Sequence, residues 1–225
     1  MFYEPLESRR LYAFTAVGIG TTIYLTGTSG DDAMIASGNG AAILFDLNGD
    51  YVDDVWFDMS NYSTINVECD DGDDDVAFAY GIVDNVWVDG GDGFDTIHTA
   101  DGNDTIYGSA DGDEIRGGLG ADWIDGERGD DDIWGDNGRD TIFGHDGADT
   151  VHGGAQNDSI EGGDGADSLR GEDGDDTLKG NANDDSLWGG EGADSLDGGW
   201  GGDFIRGDAG DDTASGGLGN DDVIE

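Results

Sequence analysis

Gly117-Gly118-Leu119-Gly120-Ala121-Asp122-Trp123-Ile124-Asp125 is one copy of a nine-residue unit. The unit repeats fifteen times from Gly90 to Ile224 with no insertion or deletion. With its positions numbered one to nine, position six is Asp in all fifteen copies: Asp95, Asp104, Asp113, Asp122, Asp131, Asp140, Asp149, Asp158, Asp167, Asp176, Asp185, Asp194, Asp203, Asp212 and Asp221. Position eight is Ile, Leu or Val in fourteen copies, with Ala214 the exception. Position one is Gly in fourteen, with Thr99 the exception, and position four is Gly in twelve, with Asp111, Gln156 and Asn183 departing.

One apolar residue in nine cannot line a helix, which needs one every three or four. It suits a very short strand at positions seven to nine, whose middle side chain points inward. The remaining Gly-x-x-Gly-x-Asp reads as a turn, in which glycine allows positive φ and close backbone approach and Asp offers a carboxylate. Two units make a flattened coil of eighteen residues. Stacked coils give two parallel sheets with the position-eight side chains meeting between them. Fifteen units make about 7.5 coils, a rod roughly 36 Å long at ~4.8 Å per strand. The predicted class is all-β, a parallel solenoid.

This pattern resembles the RTX (hemolysin-type) calcium-binding repeat, Gly-Gly-x-Gly-x-Asp-x-U-x with U large and apolar, and its parallel β-roll. The resemblance covers 135 of the 225 residues. It implies that each Ca²⁺ lies between two loops on the same edge of the roll, held by Asp carboxylates and turn carbonyls of one repeat and the next but one. The fifteen position-six aspartates are then the ligands. The edges hold eight and seven loops, so at most thirteen sites fit within the block. Loops with Asp111, Gln156 or Asn183 at position four are expected to give weaker sites.

Charge points the same way. The block carries 36 Asp and Glu against six Arg and Lys, a net of −30. Coils ~4.8 Å apart stack like charges on one another, which is strongly repulsive. Thirteen divalent cations would leave about −4. Hard oxygen donors select Ca²⁺ over transition metals. Without metal, the alternative is an acidic, disordered, Gly/Asp-rich chain. A one-in-nine core is far below that of an ordinary domain, so folding and Ca²⁺ binding are expected to be coupled.

The whole chain has 54 acidic and eight basic residues, a formal net charge of −46. That charge repels phosphate and argues against nucleic-acid binding. The single cysteine, Cys69, excludes an intrachain disulfide. Beside Asp70 and Asp71 it reads as a strand residue rather than a nucleophile. No apolar run reaches the ~18 residues of a membrane span.

Residues 1–20 read as a leader, with a disordered tail or first cap as the alternative. Leu6-Glu7-Ser8-Arg9-Arg10-Leu11-Tyr12 resembles in part the Leu-Glu-Pro-Arg-x-Leu-Leu motif that opens many large exported bacterial proteins. Ser8 and Tyr12 depart from it. Ser8-Arg9-Arg10 ahead of Leu11–Gly20 also resembles a twin-arginine signal. An extracellular or cell-surface location fits weak Ca²⁺ modules, which fill outside the cytosol.

Residues 21–89 read as irregular coils that cap the roll of residues 90–225. Strands are predicted at Thr22–Thr26, Ala33–Ala36, Ala41–Phe45, Val55–Asp58, Thr64–Cys69, Val76–Tyr80 and Asn85–Val88. Two early copies of the motif place Asp32 and Asp74 at position six. Both are candidate Ca²⁺ ligands, but their spacing is out of phase with the repeats. Asp46-Leu47-Asn48-Gly49-Asp50 with Asp54 matches the opening of an EF-type loop, yet Tyr51 and Phe57 stand where Gly and Glu belong. Asn48-Gly49 between strand-like runs reads sooner as a hairpin turn, with the calcium loop as the alternative.

Position nine forms two outward columns. One runs His98, Arg116, Trp134, His152, Arg170, Trp188, Arg206, Ile224. The other runs Tyr107, Asp125, Phe143, Glu161, Lys179, Asp197, Ser215. The first suits binding of an extracellular glycan through Trp134 and Trp188, or plain side-chain stacking. No His-Glu-x-x-His or Gly-x-Ser-x-Gly occurs, and no enzyme is expected. The block runs to the last residue but one, so its final coil is expected to expose a sheet edge and to favour self-association there. The leading expectation is a secreted or surface Ca²⁺-binding roll with a structural or adhesive role. The alternatives are the folding and export module of a larger exported enzyme or toxin, and a glycan-binding surface.

Overall fold

A computed structural model of the chain describes residues 15–19, 22–27, 29–38, 42–46, 55–58, 64–79 and 85–224. They form two twelve-stranded sheets, largely parallel, with no helix among the described residues. Strands β1 (Thr15–Ile19), β2 (Thr22–Thr26), β3 (Ala33–Gly38), β4 (Ala42–Asp46), β5 (Val55–Asp58), β6 (Thr64–Glu68), β7 (Asp75–Phe78), β8 (Asn85–Asp92) and β9 (Thr96–His98) precede twelve repeat strands, β10 (Thr105–Ala110) to β21 (Phe204–Ala209). Three short strands follow: β22 (Thr213–Ser215), β23 (Leu218–Gly219) and β24 (Asp222–Ile224). From β6 to β22 successive strands alternate between the sheets, which makes a parallel β-solenoid of about nine turns.

The register steps by eighteen residues. Ile106 pairs with Ile124, Ile124 with Ile142 and Ile142 with Ile160 in one sheet. Ile97, Ile115, Ile133 and Val151 align in the other. Every position-eight side chain from Ile97 to Ile205 is at most 2% exposed. Ala214 is only partly buried against this core, and Val223 is 39% exposed.

Most repeat strands are longer than the three residues the repeat predicts. They run from position seven through position three of the next unit, which confines the turn to positions four to six. The ladder skips position one and resumes at positions two and three, as where Ser109 pairs with Glu127 and Ala110 with Arg128. Position two takes a left-handed φ even without glycine, for example 86° at Ser109 and 67° at Glu127. This kink lets one strand bend while keeping its main-chain bonds, such as Leu119 N–H to the Ala100 carbonyl at 2.6 Å.

At the N-terminal end the parallel rule breaks. β1 pairs antiparallel with β2, so Thr15–Ile19, expected within the leader, belong to a sheet. β4 pairs antiparallel with β3, and β5 with β4, extending the other sheet as a hairpin. The stretch expected to turn or bind Ca²⁺ at Asn48 and Asp50 lies outside the described residues, as does the motif at Leu6–Tyr12. The predicted strands of residues 21–89 all form, with ends shifted by up to four residues.

Candidate metal centre

Each position-six aspartate sits at the entry to a strand, one residue before the ladder begins. Its carbonyl accepts from position seven of the next coil in the same sheet, as where Glu114 N–H donates to Asp95 O at 2.9 Å. Its side chain works in the opposite direction. Oδ1 accepts the N–H of the position-six residue one coil earlier: Asp95 N–H donates to Asp113 Oδ1 at 2.8 Å, and Asp131 N–H to Asp149 Oδ1 at 2.9 Å.

These bonds link the aspartates into two columns, one per edge. The first runs Asp32, Asp74, Asp95, Asp113, Asp131, Asp149, Asp167, Asp185, Asp203, Asp221, with steps of 2.5–3.2 Å. The second runs Asp104, Asp122, Asp140, Asp158, Asp176, Asp194, Asp212, with steps of 2.8–3.0 Å. Val86, whose N–H donates to Asp104 Oδ1 at 2.9 Å, heads the second column in place of an acid.

Asp32 and Asp74 correct an expectation. They are 42 residues apart, and Asp74 is 21 from Asp95, yet both stand in phase. The register places the extra residues around the β4–β5 hairpin and between β7 and β8. Sequence spacing alone cannot show that an insertion stays out of the coil.

The second carboxylate oxygen is the unusual atom. Oδ2 of Asp74, and of all thirteen position-six aspartates from Asp95 to Asp203, is buried without a hydrogen-bond partner. It points at position one: a Cβ on Gly108 would lie 2.4 Å from Asp113 Oδ2. That contact explains the glycine. Thr99 is the one exception, and its hydroxyl donates to the Gly117 carbonyl at 2.7 Å. At position four a carbonyl is aimed from one coil at the next, so that a Cβ on Gly120 would meet Gly102 O at 1.5 Å. Asp111, Gln156 and Asn183 occupy this position at φ 71–83°, the left-handed region.

Burial lifts these carboxyls far above the ordinary 3.8. It takes Asp95, Asp122, Asp131, Asp167 and Asp176 to about 6, and Asp74, Asp104, Asp140, Asp149 and Asp185 to about 7. Asp113 and Asp158 reach about 8. The amide from the previous coil lowers each, and in most a neighbouring carboxylate raises it further. Asp212 and Asp221 are half-buried.

Buried oxygens with raised pKa and no donor are what a hard cation satisfies. Among the described residues no three His, Cys, Asp or Glu side chains converge on one point. A cation between coils would therefore need main-chain carbonyls as well as carboxylates. The donor set is oxygen alone, which fits Ca²⁺ and disfavours transition metals. Cys69 is fully buried, and burial together with Asp74 and Asp95 pushes its thiol pKa up, which disfavours the thiolate.

Two further sets of residues escaped the repeat pattern. Position-five Asp and Asn side chains also bridge coils: Asn103 Oδ1 accepts from Ala121 N–H at 2.9 Å, and Asp130 Oδ1 from Ala148 N–H at 2.8 Å. On the outer face of one sheet Trp87, Tyr107, Trp123 and Phe143 form a zigzag of tilted rings 5.0–5.8 Å apart. Position nine alone hides this ladder, because Trp87 and Trp123 stand in the position-seven lane.

A family model of the RTX calcium-binding nonapeptide repeat matches the chain at residues 87–115, 107–142, 125–160, 143–178, 161–196, 170–205 and 197–224. No curated protein matches it. The matched segments overlap to cover residues 87–224, well over half of the 225, and their boundaries step in whole coils or half coils for most of that length. The chain belongs to the RTX calcium-binding nonapeptide-repeat family.

Proposed function

We propose that the two columns of position-six aspartates are the Ca²⁺ ligands, with Asp32 and Asp74 extending the first column. One observation carries this reading: the row of buried Oδ2 atoms that no donor reaches. In the bound state each ion would neutralise the carboxylates around it, leaving the position-eight core to hold the sheets together. The role is structural, not catalytic. With a net charge of −46 and ion-dependent folding, the chain suits the calcium-rich space outside the cell, as a secreted or surface-held rod. In low calcium its repeat block would stay unfolded.

The test is equilibrium dialysis with radioactive Ca²⁺ on the full chain and on an Asp149→Ala, Asp167→Ala double variant. The wild type should bind many ions, up to about thirteen in the repeat block plus any held at Asp32 and Asp74. The variant should bind fewer, with a weaker midpoint. Unchanged stoichiometry and midpoint would remove these residues from the ligand set.

A further inference from the structure

The outer face of the sheet containing β9 carries the column His98, Arg116, Trp134, His152, Arg170, Trp188, Arg206 on adjacent strands. Its two tryptophans differ. Trp134 is enclosed: the Arg116 guanidinium lies 4.3 Å from its ring centre, and His152 stacks at 5.8 Å and 12°. Trp188 has the Arg170 guanidinium at 5.0 Å and meets Phe204 only at a tilt of 52°.

The lane beside this column alternates glycine and acid. Glu172, Gly190 and Asp208 lie in register there. Gly190 therefore leaves a gap between two carboxylates, in the same strand as Trp188. The result is a notch of about 290 Å³ lined by Arg170, Glu172, Trp188, Gly189, Gly190 and Asp208. Both carboxylates are held on one side, Glu172 Oε1 by a hydrogen bond with His152 Nδ1 at 2.8 Å and Asp208 Oδ1 by an ion pair with Arg206 Nε at 2.5 Å. Each pair engages one oxygen and leaves the other to accept. Arg170 has no carboxylate partner among the described residues.

We propose that this notch binds one pyranose unit of a neutral polysaccharide. A pyranose has an apolar C–H face for an indole and a rim of hydroxyls that both donate and accept. Glu172 and Asp208 supply acceptors on either side, and Arg170 supplies donors. The carboxylates of Glu172 and Asp208 on either side of the notch turn away anionic glycans. The volume suits one ring rather than a larger ligand.

The site requires the folded roll, so calcium-saturated full-length chain is used, with circular dichroism recorded on the same samples. A failure to fold then shows there and not as lost binding. Cellohexaose, mannohexaose and laminarihexaose are titrated by calorimetry, with an oligoguluronate as the anionic probe. At least one neutral probe should bind saturably. Trp188→Ala should weaken it by about tenfold or more, and Trp134→Ala by less than about twofold. Arg170→Gln, which spares the core, should also weaken it and keeps the test decisive if Trp188→Ala misfolds. The proposal is overturned if no neutral probe binds, if only the anionic probe binds, if Trp188→Ala folds and binds like wild type, if Arg170→Gln binds like wild type, or if Trp134→Ala loses as much affinity as Trp188→Ala.

Discussion

The first coils and the repeat coils place different chemistry in the same slot. In the sheet containing β2, Ile23, Ile65 and Val86 occupy the register position that Asp104, Asp122 and Asp140 take further along. The three aliphatics are at most 3% exposed. β2 and β6 each bury two apolar side chains, Ile23 with Leu25 and Ile65 with Val67. A repeat strand such as β14 (Thr141–Asp146) buries Ile142 and then a glycine. The backbone path is nearly the same, but the source of stability is not. An aliphatic in the slot is stable in apolar surroundings by itself. A carboxylate there needs a proton or a cation. The β2 side of the N-terminal coils is thus built to stand with little help, whereas Asp32 and Asp74 on the other sheet share the need of the repeats, which stand only when their charge is met.

The largest effect that would break this contrast is removal of calcium. In chelator at pH 7.5, amide exchange should become fast throughout residues 90–224 while the amides of Ile23 and Ile65, in the strands with no aspartate in the slot, stay protected. Mass spectrometry of exchanged peptides reads this directly. Equal loss in both regions would mean that the N-terminal coils borrow their order from the roll.

Acid should stand in for the ion. Folded carboxyls at about 6 to 8, against 3.8 when unfolded, bind more protons in the native state between those values. Metal-free stability is therefore fully present below about pH 4 and is lost as pH rises through 6 to 8. Circular dichroism of the chelated chain should show β-structure regained on acidification. Progressive loss of structure on acidification over the same range would contradict the burial of these groups.

Single ligand changes come next. Asp149→Ala, in mid-column and 1% exposed, should raise the calcium midpoint of folding several-fold. Asp221→Ala, half-buried at the end of its column, should shift it less. Chelator-induced unfolding curves compare the two, and equal shifts would imply that burial does not grade the sites.

The smallest effect sharpens the same boundary. Cys69 is fully buried in the N-terminal coils. Its thiol should react with a maleimide slowly with calcium and nearly as slowly in chelator. Labelling in chelator at the rate seen in denaturant would erase the difference between the regions.

Much of this was legible in the chain. A fixed period of nine with Asp at six and an aliphatic at eight dictates coil length, parallel pairing and core, and Ile97 to Ile205 lie where it puts them. The strand extension through positions one to three was not legible, because glycine there marks contact with the Asp Oδ2 of its own turn rather than a turn. The phase of Asp32 and Asp74 was hidden by the extra residues around the β4–β5 hairpin and between β7 and β8. The Trp87–Phe143 ladder crosses two lanes, so no single column of the repeat shows it.

The central claim is that cations meet the charge of the aspartate columns and so hold the roll together. Far-UV circular dichroism at pH 7.5 during a Ca²⁺ titration, with Mg²⁺ as control, tests it most directly. A cooperative gain of β-structure is expected with Ca²⁺ and little with Mg²⁺. A β-spectrum already complete in chelator would contradict it.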